Sequence, residues 1–192
     1  MSSEVPPRAV LDSDVIFSRV LYELLGRAAA GARLLTLMWS DELLEEAKRV
    51  LVERKHLPAA VAERWVAYLR DAFPDERVSL SQTDPGVELS TLTGDPGDRH
   101  VCALAVTGKA SYLLTFDRGY LREPLLACGV EVIAPDAFLL ASFEEQPQPM
   151  LSVLEEQAAV WGGGRPLPAL LDALERARVP NFAARARRTL AE

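Results

Sequence analysis

The sequence lacks several features that would assign it to a functional class at once. Two cysteines and two histidines in 192 residues provide neither a disulfide framework nor a zinc cluster. No apolar run approaches the roughly 20 residues needed to cross a bilayer. The first residues, MSSEVPPR, lack the apolar core of a signal peptide. We therefore expect a cytoplasmic protein without membrane association.

The chain also lacks the positive charge that is common in nucleic-acid-binding proteins, since its net charge is −7. The charge is unevenly distributed. Residues 164–192 hold six arginines against three acidic residues, a net of +3, and the rest of the chain carries −10. This basic tail suits a polyanion or an acidic partner surface, although a solvated helix face has the same composition. Its candidate nucleic-acid-binding residues are Arg185, Arg187 and Arg188.

Short apolar segments alternate with helical patterns over the first three quarters of the chain. With 49% hydrophobic and 26% charged residues, the composition is that of a globular protein. The predicted strands are residues 9–12, 33–39, 77–80, 110–117 and 130–133. Strands separated by helices predict an α/β fold in three layers, with a parallel sheet between helices. After the polar stretch EEQPQP, which resembles a linker, only helical patterns remain, so we expect a domain at 1–143 and a helical extension at 144–192.

Acidic residues occur where predicted strands meet helices. The stretch AVLDSDVIFS places Asp12 and Asp14 after the first strand. They could cap the following helix, act as a phosphoryl-accepting nucleophile with its acid/base partner, or bind a metal ion. Asp117 ends the strand ASYLLTFD, and Asp98 lies on the buried face of the helix GDRHVCALAVTG near its start. In parallel sheets such positions meet at the carboxyl edge, where ligands bind.

The helix SDELLEEAKRVL brings a further carboxylate to this edge. Ser40 is its expected N-cap, and the helical phase places Glu46 beside the buried stripe and Glu45 opposite it. His100 is expected on the outer side of its own helix, away from the acidic residues. Carboxylates gathered without a histidine or cysteine would repel each other unless a divalent cation neutralised them. Ligands that are all oxygen favour Mg²⁺ or Mn²⁺.

One alternative family shares part of this pattern. LDSDVI and GDPGD resemble acidic motifs of haloacid-dehalogenase-like phosphatases. That family also needs a lysine before its second acidic motif, and this chain has none between Lys55 and Lys109. The phosphatase interpretation therefore leaves a charge-neutralising role unfilled.

The sequence as a whole resembles the PIN-domain family of metal-dependent nucleases over residues 8–143. The resemblance is carried by AVLDSDVIFS, SDELLEEAKRVL, GDPGDRHVCALAVTGKASYLLTFD and VEVIAPDAFL. The tail, with LLDALERARVPNFAARAR, is similar to the C-terminal extension of one bacterial subgroup of VapC-type toxins. The resemblance implies four catalytic carboxylates, Asp12, Glu46, Asp98 and Asp117.

The family pattern also distinguishes roles among these positions. It implies that Asp12 and Asp98 hold the principal metal, with Asp14 and Thr115 in supporting roles. The family commonly has asparagine where this chain has Asp14, which allows an additional ligand or a supporting contact. The VapC subgroup has asparagine as often as aspartate at the position of Asp117.

The resemblance implies a Mg²⁺- or Mn²⁺-dependent endoribonuclease that is the toxin of a type II toxin–antitoxin pair. Its expected partners are RNA, a cognate antitoxin and a second copy of the chain. Two alternatives stay open at the level of sequence: a nuclease for structured DNA, as in related flap nucleases, and a catalytically silent binding module.

Overall fold

A parallel β-sheet forms the centre of the protein. The computed structural model describes residues 5–191, and within that range it has one four-stranded sheet in the order β2-β1-β3-β4. The strands are β1 (Arg8–Leu11), β2 (Thr36–Met38), β3 (Tyr112–Leu114) and β4 (Glu131–Ile133). Successive residues of a strand point to opposite faces, and the consecutive residues Ala9, Val10 and Leu11 are all buried. Helices therefore cover both faces of the sheet, and the predicted α/β class is confirmed.

Helices make up most of the remaining chain. Those preceding β3 are α1 (Ser13–Ile16), α2 (Arg19–Ala30), α3 (Asp41–Lys55), α4 (Ala59–Ala72) and α5 (Arg99–Thr107). Those following it are α6 (Arg122–Ala127), α7 (Pro135–Glu145), α8 (Pro147–Val160), α9 (Leu167–Arg176) and α10 (Pro180–Ala191). The expected N-cap of α3 is confirmed, because the Ser40 side chain accepts a hydrogen bond from the backbone of Leu43. Within residues 5–191 no helix is both long enough and apolar enough to cross a membrane.

Two predicted elements differ from those observed. The pattern VIFSRVLYELLGRAAAG predicts one helix over residues 15–31. That helix is divided, because the extended backbone of Ser18 ends the first turn and α2 then begins at Arg19. The strand expected at 77–80 is wrong. Arg77 forms an isolated parallel bridge with Trp39, and the chain then enters a 3-10 turn at Leu80–Gln82. One bridge cannot extend the sheet.

The C-terminal helices pack on the body of the protein. Helix α8 lies against α2 and α7, and α10 lies against α7 and α9. The buried Gln157 donates a hydrogen bond from Nε2 to the carbonyl oxygen of Val20 at 2.8 Å. The rings of Phe143 and Phe182 meet edge to face with centroids 6.0 Å apart. These apolar residues belong to the same buried core as the sheet.

The predicted linker between these parts is wrong. The stretch EEQPQP is almost entirely helical, with only Gln146 between the end of α7 and the start of α8. Proline occupies the first turn of α8, where its missing N–H group costs no hydrogen bond. Proline therefore marks a helix start here and not a flexible connection.

Candidate active site at the edge of the sheet

The sheet has a crevice between β1 and β3. From β1 the chain goes on to β2 on one side of the sheet, and from β3 it goes on to β4 on the other side. Strand β1 pairs with both β2 and β3, and Leu11 aligns with Leu114 in the β1–β3 pair. Asp12 and Thr115 directly follow those two residues, and the backbone N–H of Asp12 donates to the carbonyl oxygen of Leu114 at 3.0 Å. Open α/β sheets bind their ligands in such a crevice, at the carboxyl ends of the strands.

Asp12 is buried at this crevice and accepts hydrogen bonds from three residues. Only 4% of its surface is exposed. Its Oδ1 accepts from the backbone of Ser13 at 2.6 Å, and its Oδ2 accepts from Thr115 Oγ1 at 2.7 Å and the Tyr120 hydroxyl at 3.1 Å. Burial raises the pKa of Asp12, and the charge of Glu46 adds to this, while the three hydrogen bonds oppose it. The carboxylate is therefore fixed in orientation, but none of its hydrogen-bond donors is positively charged.

Asp98 and Asp117 lie on the open side of the crevice. Burial first, and then the charges of Asp12, Asp95, Asp117 and Glu46, raise the pKa of Asp98 to about 6. These mutual effects show that the carboxylates expected to converge do lie within reach of one another's charge.

The loop after β3 fixes the position of Asp117. Its backbone N–H donates to Thr115 Oγ1 at 2.9 Å, and its Oδ1 accepts from the Gly119 backbone at 2.6 Å. A Cβ at Gly119 would lie 3.1 Å from Asp117 Oδ1 and 4.0 Å from Asp98 Oδ2. The absence of a side chain at Gly119 therefore keeps an open space between two acidic oxygens.

Glu46 faces inward as its helical phase predicts, while Glu45 is exposed and lies 3.7 Å from Lys48. The expectation for His100 is wrong, because its Nε2 lies 2.9 Å from Glu46 Oε2. Helix α5 is buried on nearly all sides, from Val101 to Ala105, so it has no outer side on which His100 could be solvated.

The contact between His100 and Glu46 has two opposing effects on the histidine. Burial lowers the pKa of His100, but the neighbouring Glu46 carboxylate outweighs this and leaves the pKa above its usual value. Although the two atoms are close, neither Glu46 Oε2 nor His100 Nε2 has a hydrogen-bond partner of normal geometry. The pair is therefore an electrostatic contact.

Asp14 is the second residue with an unpaired buried oxygen. Its Oδ2 accepts from the backbone of Phe116 at 3.0 Å, while Oδ1 is buried without a partner. Burial and the charge of Asp12 raise the pKa of Asp14 to about 7, against the effects of the Phe116 N–H and the guanidinium of Arg178. Asp14 therefore supports the loop after β3 and still has one free acceptor.

Sequence reasoning missed two residues of this site. The pattern of residues 118–128 predicts a helix that would include Tyr120. However, α6 begins only at Arg122, and the Tyr120 side chain reaches Asp12. Arg178 lies in the turn between α9 and α10, with a left-handed backbone φ of 70°. Its guanidinium carbon is 4.1 Å from the centroid of the Phe116 ring. The proximity of Arg178 depends on how the C-terminal helices pack, which no local pattern reveals.

The three arginines expected to bind nucleic acid are in different situations. Arg187 donates to Asp172 at 2.6 Å and to Glu175 at 2.8 Å, so its charge is paired within the C-terminal helices. Arg185 bonds to Thr189 and lies over the Phe143 ring. Arg188 is exposed. Of the three, Arg188 is thus the one that presents its charge to solvent.

The residues of this site fit a hydrated divalent cation. No three His, Cys, Asp or Glu side chains among residues 5–191 are close enough to enclose an ion by themselves. However, Asp14 and Glu46 each have a buried oxygen without a hydrogen bond, and Gly119 leaves room between Asp98 and Asp117. Mg²⁺ commonly keeps several waters and uses only one or two carboxylates, so it does not need a closed set of protein ligands.

Comparisons with known proteins agree with this geometry. The family model of the PIN domain matches residues 8–119, more than half of the chain, and the model of the VapC50 C-terminal domain matches residues 135–188. No curated protein and no solved structure matched the chain in the corresponding searches. The first match covers the strands and helices that carry Asp12, Glu46, Asp98 and Asp117, which leaves the phosphatase alternative without support. The chain belongs to the PIN-domain family and is a VapC-like nuclease toxin with a helical C-terminal region.

Proposed function

We propose that the protein is a Mg²⁺- or Mn²⁺-dependent endoribonuclease that hydrolyses RNA phosphodiester bonds as the toxin of a type II toxin–antitoxin pair. The observation that carries this proposal is the acidic crevice. A buried, oriented Asp12 lies within electrostatic reach of Asp98 and Glu46. Nearby, a buried oxygen of Asp14 has no partner, and Glu46 Oε2 has only its contact with His100. Such a site requires a cation, and membership of the PIN family gives the cation a catalytic use.

In the proposed site, Asp12 and Asp98 hold the principal ion, while Glu46 and Asp117 complete a second site or orient the attacking water. Bound metal lowers the pKa of a water ligand and stabilises the charge that develops on the phosphate. Thr115 and Tyr120 keep Asp12 Oδ2 in place. Burial raises the pKa of Tyr120, so its hydroxyl remains a donor throughout the physiological pH range.

Arg178 has a separate role in this proposal. Its side chain makes no hydrogen bond or ion pair with residues 5–191 apart from its stacking on Phe116. A guanidinium has five N–H donors in a planar arrangement that suits phosphate. We assign Arg178 to an RNA phosphate beside Asp14, which makes the C-terminal region part of the substrate site.

The proposed partners follow from the same assignment. A VapC-like toxin has a cognate VapB antitoxin, and we propose that the antitoxin inhibits by placing a basic side chain among the carboxylates. A homodimer is proposed as well, and light scattering coupled to size-exclusion chromatography tests it.

We also retain the division into residues 1–143 and 144–192 as a proposal. A chain ending at residue 143 would keep the sheet but would lose the contact of Phe143 with Phe182 and the cover that α8 gives to α2. Circular dichroism and Mn²⁺ titration of this shortened chain test the division. Failure to fold would show that the two parts form one folding unit.

The function is tested by RNA cleavage with Mg²⁺, with Mn²⁺ and with EDTA, in the wild type and in the double variant Asp12→Asn/Asp98→Asn. We expect cleavage that needs the metal and both carboxylates. A matched structured-DNA substrate tests the alternative nuclease, and preferential cleavage of that DNA would overturn the RNA assignment. Calorimetric titration with Mn²⁺ tests the silent binding module, because a protein without a metal site would show no binding heat.

A further inference from the structure

A cleft lies apart from the acidic crevice, between α2, α4 and the turn Trp161–Gly163 that follows α8. Its volume is about 890 Å³, which is near the upper end of the roughly 300–1,000 Å³ that is usual for ligand sites. None of the carboxylates proposed for catalysis lines it. We call it the arginine–aromatic cleft.

Positive charge is concentrated in this cleft although the protein as a whole is acidic. Its walls carry four arginines, Arg19, Arg27, Arg64 and Arg165, against one acidic residue, Glu23. Arg19 pairs with Glu23 at 2.8 Å. In the part of the chain that the structure describes, the guanidiniums of Arg27, Arg64 and Arg165 make no hydrogen bond or ion pair. Three cationic groups are therefore available to an anionic ligand.

Four aromatic side chains line the same cleft as these arginines. Trp161 lies half-buried at the rim with the Arg165 guanidinium 5.5 Å from its ring, and Tyr68 is 36% exposed. Tyr22, on the cleft wall, has a buried hydroxyl without a hydrogen-bond partner of normal geometry, although the backbone of Leu69 is near it. Aromatic faces beside guanidinium groups are the combination that binds unpaired bases and the phosphates between them.

The cleft is linked to the acidic crevice by a short segment. Trp65, on the cleft wall, donates from its indole nitrogen to the carbonyl oxygen of Ile16 at 3.0 Å, and Arg19 lies 5.9 Å from the same ring. Ile16 ends α1, the single helical turn whose N-cap is Asp12. The segment that begins at Asp12 therefore contacts the cleft wall through Trp65.

We propose that the arginine–aromatic cleft binds single-stranded RNA, with bases against Trp161 and Tyr68 and phosphates on Arg64 and Arg165. The proposal rests on the proposed function, since RNA is the substrate assigned there. It also adds to that function a source of RNA affinity that does not depend on metal, since the carboxylates of the metal-free crevice repel a polyanion. An acidic protein could use both the arginines and the aromatic rings, and the test below therefore includes an acidic peptide.

The test measures RNA binding without metal, so that no cleavage occurs and the crevice carboxylates contribute only repulsion. Fluorescence anisotropy with a labelled single-stranded RNA of about 12 nucleotides matches the size of a typical single-strand site. The double variant Arg64→Ala/Arg165→Ala removes two exposed charges from the cleft. Arg54→Ala/Arg176→Ala removes two exposed charges from the last turns of α3 and α9 and is the matched control.

We expect the cleft variant to weaken binding and to reduce the slope of log affinity against log salt by about 1.4, or roughly 0.7 for each lost phosphate contact. The control variant should keep the wild-type slope. Trp161→Ala should weaken binding roughly 5- to 150-fold with little change in slope, since base stacking does not release counterions. Double-stranded RNA of the same length should bind less tightly, because its bases are already stacked.

Equal RNA affinity and equal salt slope in the cleft variant and the control variant would overturn the proposal. The proposal would also be overturned if the cleft variant lost binding to a polyglutamate peptide but kept its binding to RNA. The proposed function fails separately. If metal-free RNA binding depends on the cleft but Mn²⁺ supports no cleavage of RNA, the cleft proposal stands and the endoribonuclease is wrong. RNA cleavage that does not depend on the cleft would support the endoribonuclease and overturn the cleft proposal.

Discussion

The acidic crevice and the arginine–aromatic cleft are polar regions of opposite character in one small protein. The crevice gathers carboxylates, and buried oxygens of Asp14 and Glu46 accept no hydrogen bond there. The cleft gathers guanidiniums, and three of them make no ion pair within residues 5–191. Elsewhere charges are commonly neutralised in pairs, as between Arg8 and Glu76 or between Lys48 and Glu63. The difference indicates that charge left without a partner marks a place for a ligand.

The two regions also differ in what a ligand would contribute. The crevice must bind a cation before RNA phosphates can approach its carboxylates, whereas the cleft can bind the polyanion directly. Substitutions in the crevice are therefore expected to lower mainly the rate of RNA cleavage, and substitutions in the cleft mainly the affinity for RNA. The C-terminal region takes part in both regions through Arg178 and Trp161.

The largest effect is expected from the carboxylates that would hold the metal. Asp12→Asn or Asp98→Asn should lower RNA cleavage more than 100-fold, since even residues that only support a metal ligand commonly cost 10- to 100-fold. Metal-free RNA binding should be unchanged or slightly tighter, because one repulsive charge is gone. Thermal melting of Asp98→Asn in EDTA should show no loss of stability, for the same reason. A double variant that still cleaves RNA would show that the crevice is not the site.

The next prediction separates two neighbours on α3. Glu46→Gln should reduce cleavage at least about tenfold, as expected for a group near the metal. Glu45→Gln is the matched control: Glu45 is exposed, so the change should alter stability by no more than about 0.5 kcal/mol and leave activity intact. Cleavage rates and melting temperatures of both variants check this. Greater damage from the Glu45 substitution would contradict the assignment of Glu46.

Substitutions of Arg178 should have a smaller effect on RNA cleavage, and the effect should depend on the geometry of the side chain as well as on its charge. Arg178→Ala should raise KM for RNA several-fold, while Arg178→Lys should recover only part of the loss, because lysine keeps the charge but not the planar donors or the stacking on Phe116. Arg176→Ala, two residues earlier and exposed, is the control. Steady-state cleavage kinetics of the three variants provide the measurement. Full recovery with lysine would show that charge alone matters at this position.

How well sequence predicted these features depended on whether they arise locally or from distant packing. Asp12 could be placed because strand β1 ends where its apolar run ends, and Glu46 could be placed because α3 has a clear buried stripe. His100 was misplaced because α5 is buried on almost every side, and an amphipathic phase cannot be read from such a helix. Arg178 and Trp161 could not be placed at all, since their positions follow from how α8, α9 and α10 pack on the sheet domain.

The smallest effect concerns the pH dependence of the metal-free protein. The pKa of Asp98 is raised from 3.8 to about 6 and that of Asp14 from 3.8 to about 7, so the folded state binds more protons than the unfolded state between these values. Stability must then fall as the pH rises through this window. The raised pKa of His100 acts in the same direction, because its stabilising charge is lost as the pH rises.

We therefore expect the protein in EDTA to melt at a higher temperature at pH 5 than at pH 8, by about 2–4 °C for each kcal/mol of difference in a protein of this size. Asp14→Asn should reduce that difference, because it removes one group that gains protons on folding. Saturating Mn²⁺ should abolish it at pH 8, since a bound cation takes over the neutralisation that protons provide at pH 5. Differential scanning calorimetry at the two pH values, with and without Mn²⁺, measures all three effects. A metal-free protein that is more stable at pH 8 would show that the crevice carboxylates are neutralised within the fold, and the case for a cation there would be lost.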